Sequence, residues 1–237
     1  DVLHIAIAAA GALEEIHSHR IIHKDVTPHN LLVDLQERRV WLIDFGISTN
    51  LNLKQPYVGN PEKIEGTLAY CSPEQTGRIN RSVDSRTDLY SFGVTLYEIL
   101  AGRLPFSGTD AMELVHAHLA QTPAPLSGIN PRVPAVLSGL VARLLAKNPD
   151  DRYQSAHGLK RDLKRCLERY ESGAGSIEPF LLGEADHYPA FRLPGRLYGR
   201  ESEVAAIVAD FEECAAGARK LLLVSGYSGA GKTALVY

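Results

Sequence analysis

Two short polar clusters, each bordering a stretch of strand-like sequence, constrain this chain more than its length or composition does. The first is His23-Lys24-Asp25-Val26-Thr27-Pro28-His29-Asn30, set just before Leu31-Leu32-Val33. The second is Asp44-Phe45-Gly46, set just after Val40-Trp41-Leu42-Ile43. Two β-rich runs split by a polar turn over residues 34–39 read as two short paired strands. Upstream, Leu3, Ile7, Ala10, Leu13 and Ile16 recur at three-and-four spacing, which predicts an amphipathic helix over residues 2–20. The first cluster therefore joins a helix to a strand, and the second ends the next strand.

The remainder of the first half is irregular. Residues 44–74 carry Asn50, Pro56, Gly59, Asn60, Pro61 and Gly66 and predict a long ordered or switchable loop. Helices are expected at about 86–101, 111–119, 133–146 and 155–170, divided by proline and glycine. Residues 171–195 are rich in glycine and proline and read as a linker, with a second domain starting near Arg196. There Val204, Ile207, Val208, Phe211 and Cys214 predict another amphipathic helix, and residues 221–224 a short buried strand. The fold class is α+β, mainly α, with the start of an α/β domain at the end.

Composition excludes several classes. Hydrophobic residues make up 45% of the 237 and charged residues 22%, as in globular domains, and the net charge of -3 lacks the basic footprint of a nucleic-acid or anionic-membrane binder. Cys71, Cys166 and Cys214 are odd in number and far apart, which suits a reducing cytoplasm rather than a disulfide framework. The apolar run 5–13 is far short of the ~20 residues that span a bilayer. The chain opens at Asp1 and stops at Tyr237 inside a helical stretch, so an internal piece of a larger protein is expected.

A carboxylate able to orient a hydroxyl, an amide five residues later and a second carboxylate at a neighbouring strand end are what metal-assisted phosphoryl transfer requires. Here the sequence resembles the protein kinases, with catalytic loop, magnesium loop and activation segment in register. The resemblance implies that Asp25 accepts or orients the substrate hydroxyl proton and that Asn30 and Asp44 hold the Mg2+ ions bridging the ATP phosphates. Gly66-Thr67-Leu68-Ala69-Tyr70-Cys71-Ser72-Pro73-Glu74 resembles the substrate-docking segment of serine/threonine kinases, with Thr67 contacting the catalytic loop. Asp88 and Gly93 resemble the central helix whose aspartate braces that loop, and Arg152 matches the arginine that pairs with Glu74. Read alone, His17, His19, His23 and His29 could suggest a metal cluster, but no acidic or thiol partner has ligand spacing, and His23 is expected as a buried prop for Phe45. Cys166 reads as a small buried hydrophobe.

Two positions depart from the family pattern. Lys24 replaces the arginine before the catalytic aspartate, which removes a bidentate fork for an activation-loop phosphate. Thr27 replaces the lysine placed near the γ-phosphate. His29 stands where tyrosine kinases, which share that lack, place an arginine, so its imidazolium is a candidate for the missing charge, against a reading in which it faces solvent. Glu62 and Glu65 precede Gly66 with no hydroxyl beside them, so fixed acid is a candidate substitute for phosphate, with Ser48, Thr49 and Tyr57 further back. A glycine-rich loop, a strand lysine and a hinge would all precede Asp1, so residues 1–170 on their own are expected to be inactive.

Gly226-Tyr227-Ser228-Gly229-Ala230-Gly231-Lys232-Thr233 satisfies the Walker A pattern. Its glycines let backbone amides surround a phosphate, Lys232 reaches β and γ oxygens and Thr233 ligates magnesium. Leu197-Tyr198-Gly199-Arg200-Glu201 resembles the entry to AAA-type ATPase modules. Lobe, linker and module together resemble bacterial serine/threonine kinases fused to an ATPase and often to a sensor histidine kinase. The expected partners are ATP, protein substrates and a histidine kinase module in the same chain. The rival readings are a pseudokinase scaffold that regulates the ATPase, and an ATPase switch with the kinase as its output.

Overall fold

The computed structural model describes residues 1–50, 67–79, 81–108, 110–173, 177–186, 199–227, 232 and 235. The chain divides into two compact units, Asp1–Ala190 and Phe191–Tyr237.

In the first unit, α1 (Val2–Ser18) ends where Arg20 turns the chain at a left-handed φ of 59°. The hairpin β2 (Leu31–Asp34) and β3 (Arg39–Leu42) pairs antiparallel with Leu31 opposite Leu42 and Asp34 opposite Arg39. Its turn is fixed locally: the Asp34 Oδ1 accepts the backbone N–H groups of Gln36 and Glu37, and Arg38 takes a φ of 53°. Strands β1 (Ile21–Ile22) and β4 (Thr49–Asn50) also pair antiparallel. That pairing carries no sequence signal, because β4 lies inside the irregular stretch and two residues are too few for a period to show.

The rest is helical. Helix α2 (Ser85–Ala101) starts on Asp84, whose side chain accepts the Arg86 N–H, and ends at Gly102 with φ 71°. Helices α3 (Ala111–Ala120), α4 (Leu126–Ile129), α5 (Ala135–Leu144) and α6 (Ala156–Ser172) follow. Helix α5 is shorter than its apolar pattern predicts, because Pro134 disfavours helical dihedrals at Val133 and the helix begins only after it.

Every residue from Arg86 to Tyr97 is buried, so α2 is the axle of the lobe. Leu89, Tyr90, Phe92, Leu140, Leu144, Tyr153 and Leu159 form the core around it, and each such side chain contributes about 1.5–3 kcal/mol by leaving water. Gly93 permits the close approach of α5: a Cβ there would lie 2.6 Å from the Leu144 Cβ. Helix α1 packs on α6. Beyond α6, residues 177–186 lie on the lobe, with Ile177 in its core, although their composition belongs to the stretch that predicts a linker.

In the second unit, α7 (Glu201–Ala215) forms as expected but buries none of its residues. Residues 221–224 differ from expectation. They form no strand, and Leu221 and Leu223 are 96% and 86% exposed. A strand exists only by pairing its N–H and C=O groups with a neighbour, and no other segment among the described residues pairs with this one. The α/β architecture expected here is therefore not formed in these residues.

Candidate active site

The polar residues of α2 are what position the first sequence cluster, because a buried polar group must find a partner. The Asp88 carboxylate accepts the backbone N–H of His23 at 2.9 Å and of Lys24 at 2.7 Å. Thr95 donates to the Val26 carbonyl, and Thr87 to Glu74. Lys24 is buried and sits at a left-handed φ of 69°, which turns the chain so that Asp25 faces outward.

Asp25 is the meeting point of two segments. Its Oδ2 accepts Asn30 Nδ2 at 2.9 Å, and the same amide also donates to the Asp25 carbonyl at 2.8 Å. Its Oδ1 accepts the backbone N–H of Thr67 at 2.9 Å, across 42 residues of sequence. The β2–β3 ladder continues one step as Ile43 N–H donates to the Asn30 carbonyl, so Asn30 and Asp44 stand at one end of the hairpin. Asp44 is exposed, at φ 62°, with Oδ1 accepting the Gly46 N–H at 3.3 Å. His23 bonds the Ile43 carbonyl at 3.0 Å and meets the Phe45 ring edge-on at 4.8 Å. It is the buried prop that the sequence predicts.

The segment over residues 67–77 is locked from below. Glu74 and Arg152 form a two-pronged pair of 2.7 and 2.9 Å with both side chains buried. Gln75 caps Ser72 and donates through Nε2 to the Lys24 carbonyl at 2.8 Å. Tyr70 donates to Glu98 at 2.5 Å. Burial, together with Glu74 and Asp25, pushes the Cys71 thiol up to about 12, so it stays protonated and inert.

The structure thus brings Lys24, Asp25, Asn30 and Thr67 together. Thr27 is buried beside them, while His29 is exposed on the Pro28–Asn30 turn. His17, grouped by sequence with the other histidines, instead places Nε2 2.8 Å from Asp88 Oδ2. Sequence reasoning missed that role and that of Gln75. The signal for His17 was its place on the buried face of α1; for Gln75 the Ser72-x-x-Gln75 spacing signals the cap, while its bond to Lys24 has no local signal. Gly66, Glu62 and Glu65 lie outside the described residues, as do Gly229, Gly231 and Thr233. Lys232 donates to the carbonyls of Gly226 and Tyr227, both at 2.8 Å.

Residues 1–163 match the family described as protein kinase domain. Among similar proteins is "Hybrid signal transduction histidine kinase G" of Dictyostelium discoideum, 39% identical over 189 residues, covering 72% of this chain and 6% of that protein. "Serine/threonine-protein kinase PknB" of Mycolicibacterium smegmatis is 36% identical over 192 residues, covering 81% of this chain and 30% of its own. "Serine/threonine-protein kinase PksC" of Streptomyces coelicolor is 33% identical over 177 residues, covering 75% and 31%. The chain spans under a third of the length of each of these relatives. With this match laid over a carboxylate held between Asn30 and Thr67, the chain belongs to the protein kinase domain family.

Proposed function

We propose that this chain is the C-terminal lobe of a serine/threonine protein kinase that transfers the ATP γ-phosphoryl group to a protein hydroxyl in signal transduction. The observation that carries this reading is Asp25, whose two oxygens are oriented separately by Asn30 and Thr67. Each oxygen keeps a lone pair for a substrate hydroxyl. Asp25 orients that hydroxyl and receives its proton, Thr67 ties the docking segment to it, and Lys24 sets the backbone turn beneath.

Asn30 commits its Nδ2 to Asp25, which leaves its amide oxygen as the group open to a ligand. That oxygen and the exposed Asp44 carboxylate are hard donors suited to Mg2+. Bound there with ATP, the ion neutralises phosphate charge.

The finer reading keeps residues 1–170 as the kinase lobe and 196–237 as the opening of an AAA-type P-loop ATPase. Gly226, Gly229, Gly231, Lys232 and Thr233 are its nucleotide-binding residues. Support comes from the Walker A pattern and from Lys232, which folds over the start of that loop. A histidine kinase module in the same chain is supported by the likeness to the Dictyostelium histidine kinase, and a cytoplasmic location by the free, buried Cys71 and Cys166.

The test is phosphoryl transfer from ATP to a serine- and threonine-containing protein by the full-length protein and its Asp25→Asn variant. A general base contributes about 10²–10⁴-fold, so a loss of at least a hundredfold is expected. A wild-type protein without transfer that still binds its partners would make the lobe a scaffold.

A further inference from the structure

The chain does not leave the lobe at the end of α6. Arg169 donates to the carbonyls of Glu178 and Pro179, and Phe180 lies under the guanidinium groups of Arg165 and Arg169. The Gly183 N–H then donates to Asp162, and Arg143 donates to the Leu182 carbonyl at 2.6 Å. Asp186 finally reaches the opposite end of the helix. The segment retraces α6 from its last turn to its first, and 17 residues at 1.5 Å each make that about 25 Å. The family match stops at residue 163, before this segment begins.

The Asp186 side chain is fully buried. It accepts the backbone N–H groups of Gln154 at 2.6 Å and Ser155 at 3.0 Å, and the Ser155 hydroxyl at 2.9 Å. Only glycine fits at position 158, where a Cβ would overlap Asp186. Gln154 is itself a hub: its Nε2 donates to the Pro149, Asp150 and Arg152 carbonyls, and its Oε1 accepts from Arg86. Two residues earlier in the chain, Arg152 grips Glu74, and Gln75 beside Glu74 holds the Lys24 carbonyl next to Asp25.

We propose that residues 177–186 are an integral strap of the lobe and that Asp186 is a positioning residue for the substrate-docking segment, acting through the 152–155 turn and the Arg152–Glu74 pair. A buried carboxylate beside the N-terminus of α6 favours that helix through its macrodipole. Capping alone, however, would leave residues 67–77 untouched. The continuous chain of bonds from Asp186 to Lys24 is what extends the effect to the site. The catalytic consequence rests on the kinase reading above.

The experiment uses the full-length protein and three variants: Asp186→Ala, Gly158→Ala and, as a control on an exposed strap residue, Leu181→Ala. Gly158→Ala displaces Asp186 while favouring α6 by about 1 kcal/mol in helix propensity, so its effects do not come from a weakened helix. Amide hydrogen exchange is followed at Gln154 and Ser155 and at Tyr70, Cys71, Gln75 and Gly77, whose N–H groups are bonded within the docking segment. Both displacing variants are expected to speed exchange at least tenfold in both regions and to raise KM for the protein substrate several-fold, with KM for ATP unchanged. The control matches wild type. Faster exchange confined to residues 153–158 and 177–186 would overturn the positioning role. Coupled exchange in a protein that transfers no phosphoryl group would sustain the coupling and sink the kinase reading instead.

Discussion

His17 and Asp88, 71 residues apart in sequence, meet at 2.8 Å where α1 faces α2. Asp88 is completely buried and serves three donors, the His17 ring and the N–H groups of His23 and Lys24. A carboxylate satisfied this fully fixes the backbone ahead of Asp25, and the ring contact and the two backbone contacts have unequal worth.

Asp88→Ala strands two buried N–H groups, each at about 1–3 kcal/mol. Its total cost is expected at roughly 3–5 kcal/mol, with turnover falling as the catalytic loop loosens. His17→Ala removes one bond and leaves both amides held, for about 1 kcal/mol. Urea unfolding of both variants checks the ranking, and equal costs would contradict it.

His118 predicts an acid sensitivity unrelated to catalysis. Its ring is buried between Tyr90, Phe106 and Lys147 under the Leu68–Tyr70 turn, and its Nε2 has no hydrogen-bond partner among the described residues. Burial and the nearby Lys147 charge push its pKa down to about 4. Above its usual value near 6.5 the ring is neutral in both folded and unfolded chains. Between 6.5 and 4 only the unfolded chain takes up the proton, so stability falls with falling pH, by about 3 kcal/mol at most. Urea midpoints measured from pH 7 to 4 should drop less for His118→Phe than for wild type. Parallel curves would remove His118 as a cause.

Magnesium dependence should separate Asn30 from Asp44. On the proposed reading, Asn30→Ala loses a Mg2+ donor and also the amide that orients Asp25, whereas Asp44→Asn loses only charge at an exposed position. Both should raise the Mg2+ concentration needed for half-maximal nucleotide binding by about tenfold, read by fluorescence of a labelled ATP analogue. Only Asn30→Ala should further impair turnover at saturating Mg2+. Unchanged Mg2+ curves in both variants would place the ion elsewhere.

His29 stands in solvent while Thr27 is buried, so the imidazole is expected to contribute little. On the proposed kinase reading, His29→Ala should leave turnover of the full-length protein within about twofold at every pH tested. A tenfold loss reversed by Thr27→Lys would instead assign it the charge beside the γ-phosphate, where one electrostatic contact is worth about 3 kcal/mol.

The sequence alone determined the features that depend on neighbours in the chain. The α1 pattern, the β2–β3 hairpin with its Asp34 turn and the spacing from Asp25 to Asn30 are all local, and each formed where its residues placed it. Family order extended this to Glu74 with Arg152 and to Asp88 beneath the catalytic loop, both long-range pairs whose members sit in recognisable motifs. Tertiary structure decided what no local pattern encodes. The β1–β4 pair, the Gln75 bond to Lys24 and the His17 contact each join segments whose own residues carry no signal of the partner. Residues 177–186 carry the glycine and proline of a linker, yet they are held, because the N–H groups of Gln154 and Ser155 find their acceptor in Asp186 and the Gly183 N–H finds its own in the buried Asp162 of α6. The reverse holds for residues 221–224, which have the apolar side chains of a buried strand, yet Leu221, Leu222 and Leu223 remain exposed. Apolar sequence favours burial, but a strand also requires a second backbone to satisfy its hydrogen bonds, and that is a property of the fold around it.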